Sequence, residues 1–264
     1  MSRCWRTARP DGMTENMTVL VTGASGTLGS AVVPRLEKDG YRVRPTSRRA
    51  RPGWVAADLR TGEGLAEAVD GVDVIVHLAS APGRPRQTDV EGTRLLLTEA
   101  RHAGVGHVLY VSINGIDRVP YRYYRAKLDT EQVVKASGVP YTILRAAQFH
   151  PFVETLLATV SKAGPVVIDP TWQVQPVALE DVADRIADLI AMPPTGETTE
   201  YAGPQVLTFD QLARTWLAAR GSKRPIWRLR FPGGMAKAIR AGAQTTTATP
   251  TGTGTWQEYL AAKY

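Results

Sequence analysis

The chain has 264 residues, 43% hydrophobic and 22% charged, enough for one generous α/β domain or a domain carrying a smaller lobe. Its formal charge of +7 invites a nucleic-acid or membrane-surface reading, but residues 1–16 carry net +1, residues 221–264 net +6, and the body between is neutral. The lone Cys4 excludes an intrachain disulfide and a Cys-based metal site, no run approaches 18 apolar residues, and no apolar stretch follows the basic start as in a signal peptide. A cytoplasmic protein without membrane contact is therefore expected.

Residues 1–16 have no hydrophobic period and are expected to form a disordered arm; Met13 and Met17 are alternative starts. From residue 18, strand-like and helical runs alternate. Thr18–Val21 reads as a strand and Leu28–Lys38 as a helix ending at Gly40, with Pro34 inside it as an expected kink. Strands follow at Tyr41–Thr46, Trp54–Ala57, Val74–Leu78, His107–Ser112 and Tyr141–Arg145. Helices are read at Gly64–Val69, Thr93–Ala103 and Tyr124–Ser137. Such alternation around continuous Val/Ile/Leu strands predicts a doubly wound parallel sheet, the Rossmann arrangement, over residues 17–150.

After Phe149 the pattern loosens into a smaller lobe, residues 151–264, partly returning to the sheet. A helix (Pro151–Ala163), a strand pair (Pro165–Ile168 with Gln173–Val177) and a helix (Leu179–Met192) are expected. A strand near Gln205–Thr208, a helix Phe209–Arg220, a basic stretch and a Thr/Gly/Pro-rich loop at Thr245–Thr255 follow. Asp181 is read as structural.

The segment Leu20-Val21-Thr22-Gly23-Ala24-Ser25-Gly26-Thr27-Leu28-Gly29 spaces three glycines by three between a strand and a helix. The first permits a tight turn, the second close approach of a pyrophosphate, and the third close packing of helix on sheet. The helix start adds free N–H groups and a positive dipole end. A purely structural strand-to-helix turn is the bland alternative.

This T-G-A-S-G-T-L-G run resembles the cofactor turn of the atypical and extended short-chain dehydrogenases. Further segments narrow the resemblance to their NmrA-like branch of quinone oxidoreductases and redox-sensing regulators. They are Asp58-Leu59, His77-Leu78-Ala79-Ser80, Asp89-Val90-Glu91-Gly92-Thr93, Tyr110-Val111-Ser112 and Ser137-Gly138-Val139-Pro140-Tyr141-Thr142-Ile143-Leu144-Arg145. The resemblance implies a nicotinamide cofactor held by Gly23, Ser25, Gly26, Thr27, Leu28 and Gly29. It implies Asp58 and Leu59 bordering the adenine, and Leu78, Ala79 and Ser80 along the adenosine ribose and phosphates.

The second strand ends Thr46-Ser47-Arg48-Arg49, without the acid that would accept from an NAD ribose 2′-hydroxyl. A guanidinium there suits a 2′-phosphate, so NADP(H) is the expected cofactor, with Ser47, Arg48 and Arg49 at the phosphate. A solvated basic loop is the alternative.

Tyr123-x-x-x-Lys127 places two side chains on one helical face, where the ammonium lowers the phenol pKa and holds the nicotinamide ribose. In the resembled superfamily the tyrosine is the general acid/base and a serine on the fifth strand assists. Here Ile113 stands at the usual serine position, which leaves Ser112 one residue earlier. Lys127 could instead be a surface lysine and Tyr123 a packing tyrosine. Ala147, Gln148 and Phe149, at the carboxyl end of the sixth strand, are expected near the nicotinamide. His150 is expected on the substrate side, with a structural histidine as the alternative. The remaining histidines are isolated, so no metal is expected.

These features together read as an NADPH-dependent oxidoreductase acting on a small carbonyl, quinone or conjugated substrate, as monomer or homodimer. The rival reading is a non-catalytic NADP(H)-sensing regulator. Nucleic acid is not an expected partner, because no helix-turn-helix accompanies the basic tail.

Overall fold

The structure, a computed structural model, describes residues 17–162 and 164–264. The expected N-terminal arm lies outside the described residues. The chain divides into two compact units. Unit 1 runs to Ser112 and adds Arg125–Leu144 and Ala183–Thr199; unit 2 comprises Ile113–Tyr124, Arg145–Val182 and Glu200–Tyr264.

Seven strands form the main sheet. They are β1 (Thr18–Thr22), β2 (Arg42–Ser47), β3 (Val55–Ala56), β4 (Val74–His77), β5 (His107–Ile113), β6 (Tyr141–Ala146) and β9 (Thr198–Tyr201). Their order is β3-β2-β1-β4-β5-β6-β9, a parallel sheet whose first six strands have the doubly wound dinucleotide-binding order. Burial explains the composition: β1 and β4 are buried along their whole lengths, so both faces of TVLVT and VIVH are covered. Leu20, Ile75, Leu96, Val108, Tyr110, Val134 and Ile143 share the core cluster of unit 1. Each aliphatic side chain so buried contributes about 1.5–3 kcal/mol relative to exposure.

The crossovers are α1 (Gly29–Lys38), α2 (Leu65–Val69), α3 (Gly92–Ala103) and α4 (Arg122–Lys135), with a π-helical turn at Arg86–Glu91 running into α3. Helix α1 continues through Pro34, which lies on its exposed face while Val32 and Leu36 face the core. The sequence pattern did not reveal β9. Its TTEY composition is half-exposed and lacks an apolar run, and it is tied to the sheet by Ile143 N donating to Glu197 O at 2.9 Å.

Unit 2 contains α5 (His150–Val160), β7 (Val166–Ile168), β8 (Gln173–Val174), β10 (Leu207–Thr208), α7 (Phe209–Ala219), β11 (Ile226–Arg228), α8 (Gly234–Arg240) and α9 (Trp256–Lys263). Helix α6 (Leu179–Ala191) begins in unit 2 and ends in unit 1. The strands read as a pair, β7 and β8, do not pair with each other: β7 pairs in parallel with β11 and β8 antiparallel with β10. Asp169 supplies the reason. Leaving β7, its buried carboxylate accepts from Thr171 N at 3.2 Å and from Phe231 N at 3.1 Å. These bonds tie the exit of β7 to the segment after β11. Leu157, Val166, Ile168, Leu212, Trp216, Trp256 and Leu260 form this unit's core.

Candidate functional site

The glycine-rich turn follows β1 and opens α1. Gly23 has φ +69°, and a Cβ there would lie 2.7 Å from Ala79 N, so only glycine lets the turn sit against Leu78 and Ala79, just past the end of β4. A Cβ on Gly29 would strike the backbone of Gly23 and Ala24. At Gly26 only Gly23 O, at 3.1 Å, is near, and Ser25, Gly26 and Thr27 are exposed. The turn therefore presents open backbone at the N-terminus of a ten-residue helix, where amides lack intrahelical partners. These residues fit a dinucleotide pyrophosphate: a side chain at Gly26 would fill the space that a phosphate needs.

Past β2, Arg48 and Arg49 are exposed, and the Ser47 hydroxyl donates to Arg49 O. Asp58 is engaged by Arg60, whose Nη2 donates at 2.9 Å and whose backbone N donates at 2.8 Å. Arg60 above all holds the Asp58 carboxyl below its usual range, with a smaller contribution from the charge of Arg48. Leu59 is fixed by α3, because a Cβ on Gly92 would lie 2.8 Å from Leu59.

Lys127 on α4 is buried, and its Nζ donates to Val111 O at 3.1 Å and lies 4.4 Å from the centre of the Tyr110 ring. Burial pulls its pKa down to about 8, while the carboxylates of Asp89 and Glu131 act in the opposite direction. The Ser112 hydroxyl is buried, with no hydrogen-bond partner among the described residues.

A polar scaffold behind these residues was not anticipated from sequence. His77 ends β4 with Nδ1 2.6 Å from Thr22 Oγ1 and Nε2 2.8 Å from Thr93 Oγ1. Burial, aided by the charge of Lys127, lowers its pKa to about 3, so the ring is neutral. Thr22 Oγ1 also accepts from Ala79 N at 3.4 Å. Asp89, itself buried, accepts from the Ser80 hydroxyl at 2.5 Å and Ala81 N at 3.0 Å. The loop Leu78–Ala81 is thus pinned at both ends. The signal was present in Asp89-Val90-Glu91-Gly92-Thr93, but only folding brings Asp89 to Ser80.

In unit 2, the three tyrosines Tyr121, Tyr123 and Tyr124 pack edge to edge or tilted, with centroids 5.3–6.4 Å apart. The hydroxyl of Tyr124 accepts from Gln244 Nε2 at 2.8 Å. Burial raises its phenol, and hydrogen bonds with Gln148 and Gln244 partly offset that. Tyr123 is half-buried at the start of α4, one turn before Lys127. The segment Ala147–His150 is set by backbone bonds: Ala147 N to Tyr201 O at 2.9 Å, Val177 N to Gln148 O at 3.0 Å and His150 N to Val177 O at 3.1 Å. His150 is buried against Trp256 and Tyr259, at centroid distances of 5.9 and 5.4 Å, and burial lowers its pKa to about 4.

Among the described residues no cluster of three or more His, Cys, Asp or Glu could hold a metal ion, and no helix is long and apolar enough to cross a membrane. In comparisons with known proteins, the chain is 30% identical over 137 residues to an uncharacterised protein of Mycobacterium tuberculosis. That match covers 50% of this chain and 15% of the relative, so the chain spans only a small part of that protein's length. It is 29% identical over 237 residues to a ceramide reductase of Caulobacter vibrioides, covering 81% of this chain and 74% of the relative. The fold resembles that of an NADPH-dependent quinone oxidoreductase from Escherichia coli solved with NADPH (TM-score 0.77, 20% identity, 92% of this chain and 99% of that one). Residues 23–193, which hold the turn, the pinned loop and Lys127, match the NAD(P)H-binding family, and the chain is a member of that family.

Proposed function

We propose that the protein is an NADPH-dependent reductase acting on a small carbonyl, quinone or conjugated substrate. The observation that carries this reading is Lys127: a buried ammonium in the same unit as the glycine-rich turn, anchored on Val111 O of β5. Burying a lysine costs stability, and a structural role would be met more cheaply by an apolar side chain. NADPH, when bound, supplies the hydride. Gly23, Ser25, Gly26, Thr27, Leu28 and Gly29 hold its pyrophosphate. Arg48 and Arg49, with Ser47, take the 2′-phosphate, since Asp58 is already committed to Arg60. Asp58 and Leu59 border the adenine, and Leu78–Ser80 line the adenosine ribose and phosphates. Lys127 orients the nicotinamide ribose, and Tyr123 delivers the proton that accompanies the hydride, assisted by Ser112. Ala147, Gln148 and Phe149 flank the nicotinamide. His150, neutral and enclosed by Trp256 and Tyr259, serves packing on the substrate side rather than proton transfer.

The reading is supported by the family membership and by a relative named a ceramide reductase. Its test is NADPH oxidation across a panel of quinones and enones with the wild type and Lys127→Ala. Turnover with at least one substrate, reduced 100-fold or more in the variant, is expected. NADPH binding with no turnover across the panel would instead favour the sensor reading.

A further inference from the structure

Unit 2 contains a cleft of about 620 Å³ with four cationic side chains among the nine residues that line it. Arg228, Arg230, Lys237 and Arg240 line it, with Asp169 and Gln173. Asp169 is fully buried, and its carboxylate is saturated by Thr171, Phe231 N and Arg240 Nη1, the last at 2.6 Å. That Nη1 also donates to Phe231 O at 3.0 Å, so one nitrogen of Arg240 is fixed and the rest of the guanidinium has no acceptor among the described residues. Arg228 is partly neutralised by Asp210 at 2.7 Å, but the same carboxylate also serves Arg214 at 2.7 Å. The side chains of Arg230 and Lys237 make no ion pair or hydrogen bond among the described residues.

Four cations therefore share one cleft whose lining carboxylate is Asp169, while Asp210, outside the lining, is divided between Arg228 and Arg214. A solvated basic face spreads such charges apart, since like charges repel and each gains by full hydration. Here one of them is instead clamped from beneath by a buried acid, which preorganises its free donors. Planar guanidinium donors suit the geometry of a phosphate or carboxylate.

We propose that this cleft binds a small, multiply charged oxyanion through Arg230, Lys237 and the free side of Arg240. This does not rest on the reductase reading, because no cofactor residue named above lines the cleft.

The test is calorimetric titration of the full chain with inorganic phosphate and with citrate at low ionic strength, where screening is least. Arg230→Ala/Lys237→Ala removes two exposed, unpaired charges and leaves the Asp169–Arg240 clamp intact. Arg48→Ala controls for a phosphate bound by the arginines after β2, and Arg230→Lys/Lys237→Arg keeps the charge. Saturable binding of either probe is expected, weakened tenfold or more by the alanine pair and changed less than threefold by the other two variants. A preference for phosphate or for citrate identifies which oxyanion the cleft selects. Absence of saturable binding by both probes, or unchanged affinity in the alanine pair, would overturn the proposal.

Discussion

The two units use polar groups in opposite ways. Unit 1 builds its site from backbone: glycines at β1, a loop pinned by Thr22 and Asp89, and a neutral His77 bridging two threonines. Unit 2 uses acids to capture its own C-terminal segments across long stretches of chain. Glu154 accepts from Tyr259 and Lys263, each at 2.5 Å, and from Tyr264. Asp169 takes Phe231 N and Arg240, while Asp181 accepts from Thr253 N at 2.9 Å and Gly254 N at 2.8 Å. The basic C-terminal stretch is thus partly a set of partners for acids 60–110 residues earlier. One unit leaves the turn Ser25–Thr27 exposed, while the other ties its acids to its own chain and gathers Arg228, Arg230, Lys237 and Arg240 at one cleft.

This contrast is open to attack first at the turn. Gly29→Val places a branched side chain in the backbone of Gly23 and Ala24. It should cost about 3 kcal/mol or more through overpacking and abolish NADPH binding, measured by denaturant unfolding and cofactor titration. Wild-type affinity in this variant would mean that the turn is not the cofactor cradle.

Lys127 distinguishes function from stability in unit 1. Its folded pKa, about 8, lies below the unfolded value of 10.5, so the unfolded chain binds more protons between those limits. Wild-type stability should therefore rise with pH from about 8 to 10.5, and Lys127→Met should remove that rise. At pH 7 the methionine variant should be the more stable, by on the order of 2 kcal/mol, although it should lose turnover. Chemical denaturation at stepped pH reads both.

Glu154 has the opposite sign. Burial raises its carboxyl, but Lys263, Tyr259 and Tyr264 outweigh that and hold it at about 2, against 4.5 unperturbed. The stabilisation is present above pH 4.5 and is lost as pH falls toward 2. Glu154→Gln should cost about 2 kcal/mol at pH 7, since Lys263 is half-exposed and partly screened, and should flatten the acid limb of the stability profile.

The same contrast explains what the sequence could tell. In unit 1 the backbone follows local grammar: strand, glycine turn and helix are contiguous, so the tight turn at Gly23 and the close packing at Gly29 are legible in the sequence alone. Parallel strands buried on both faces announce themselves as VLV and VIV runs. The pairing of Asp89 with Ser80 was not legible, because it depends on the π-helical turn that follows β4. In unit 2, β7 was given the wrong partner because Asp169 redirects the chain to a segment 62 residues away. Helix α9 lacks an apolar stripe, yet Thr255 and Glu258 form a capping box, a signal that T-x-x-E carried in plain sight. The cationic cleft was visible only as six surplus charges until folding set Arg228, Arg230, Lys237 and Arg240 around Asp169.

We propose that unit 1 holds NADPH, with the 2′-phosphate read by the arginines after β2. Fluorescence titration of NADPH and NADH, on the wild type and on Arg48→Ala, tests it most directly. NADPH should bind at least tenfold tighter than NADH to the wild type, with the gap narrowed mainly by weaker NADPH binding in the variant. Equal affinities for the two cofactors, unchanged by the substitution, would contradict it.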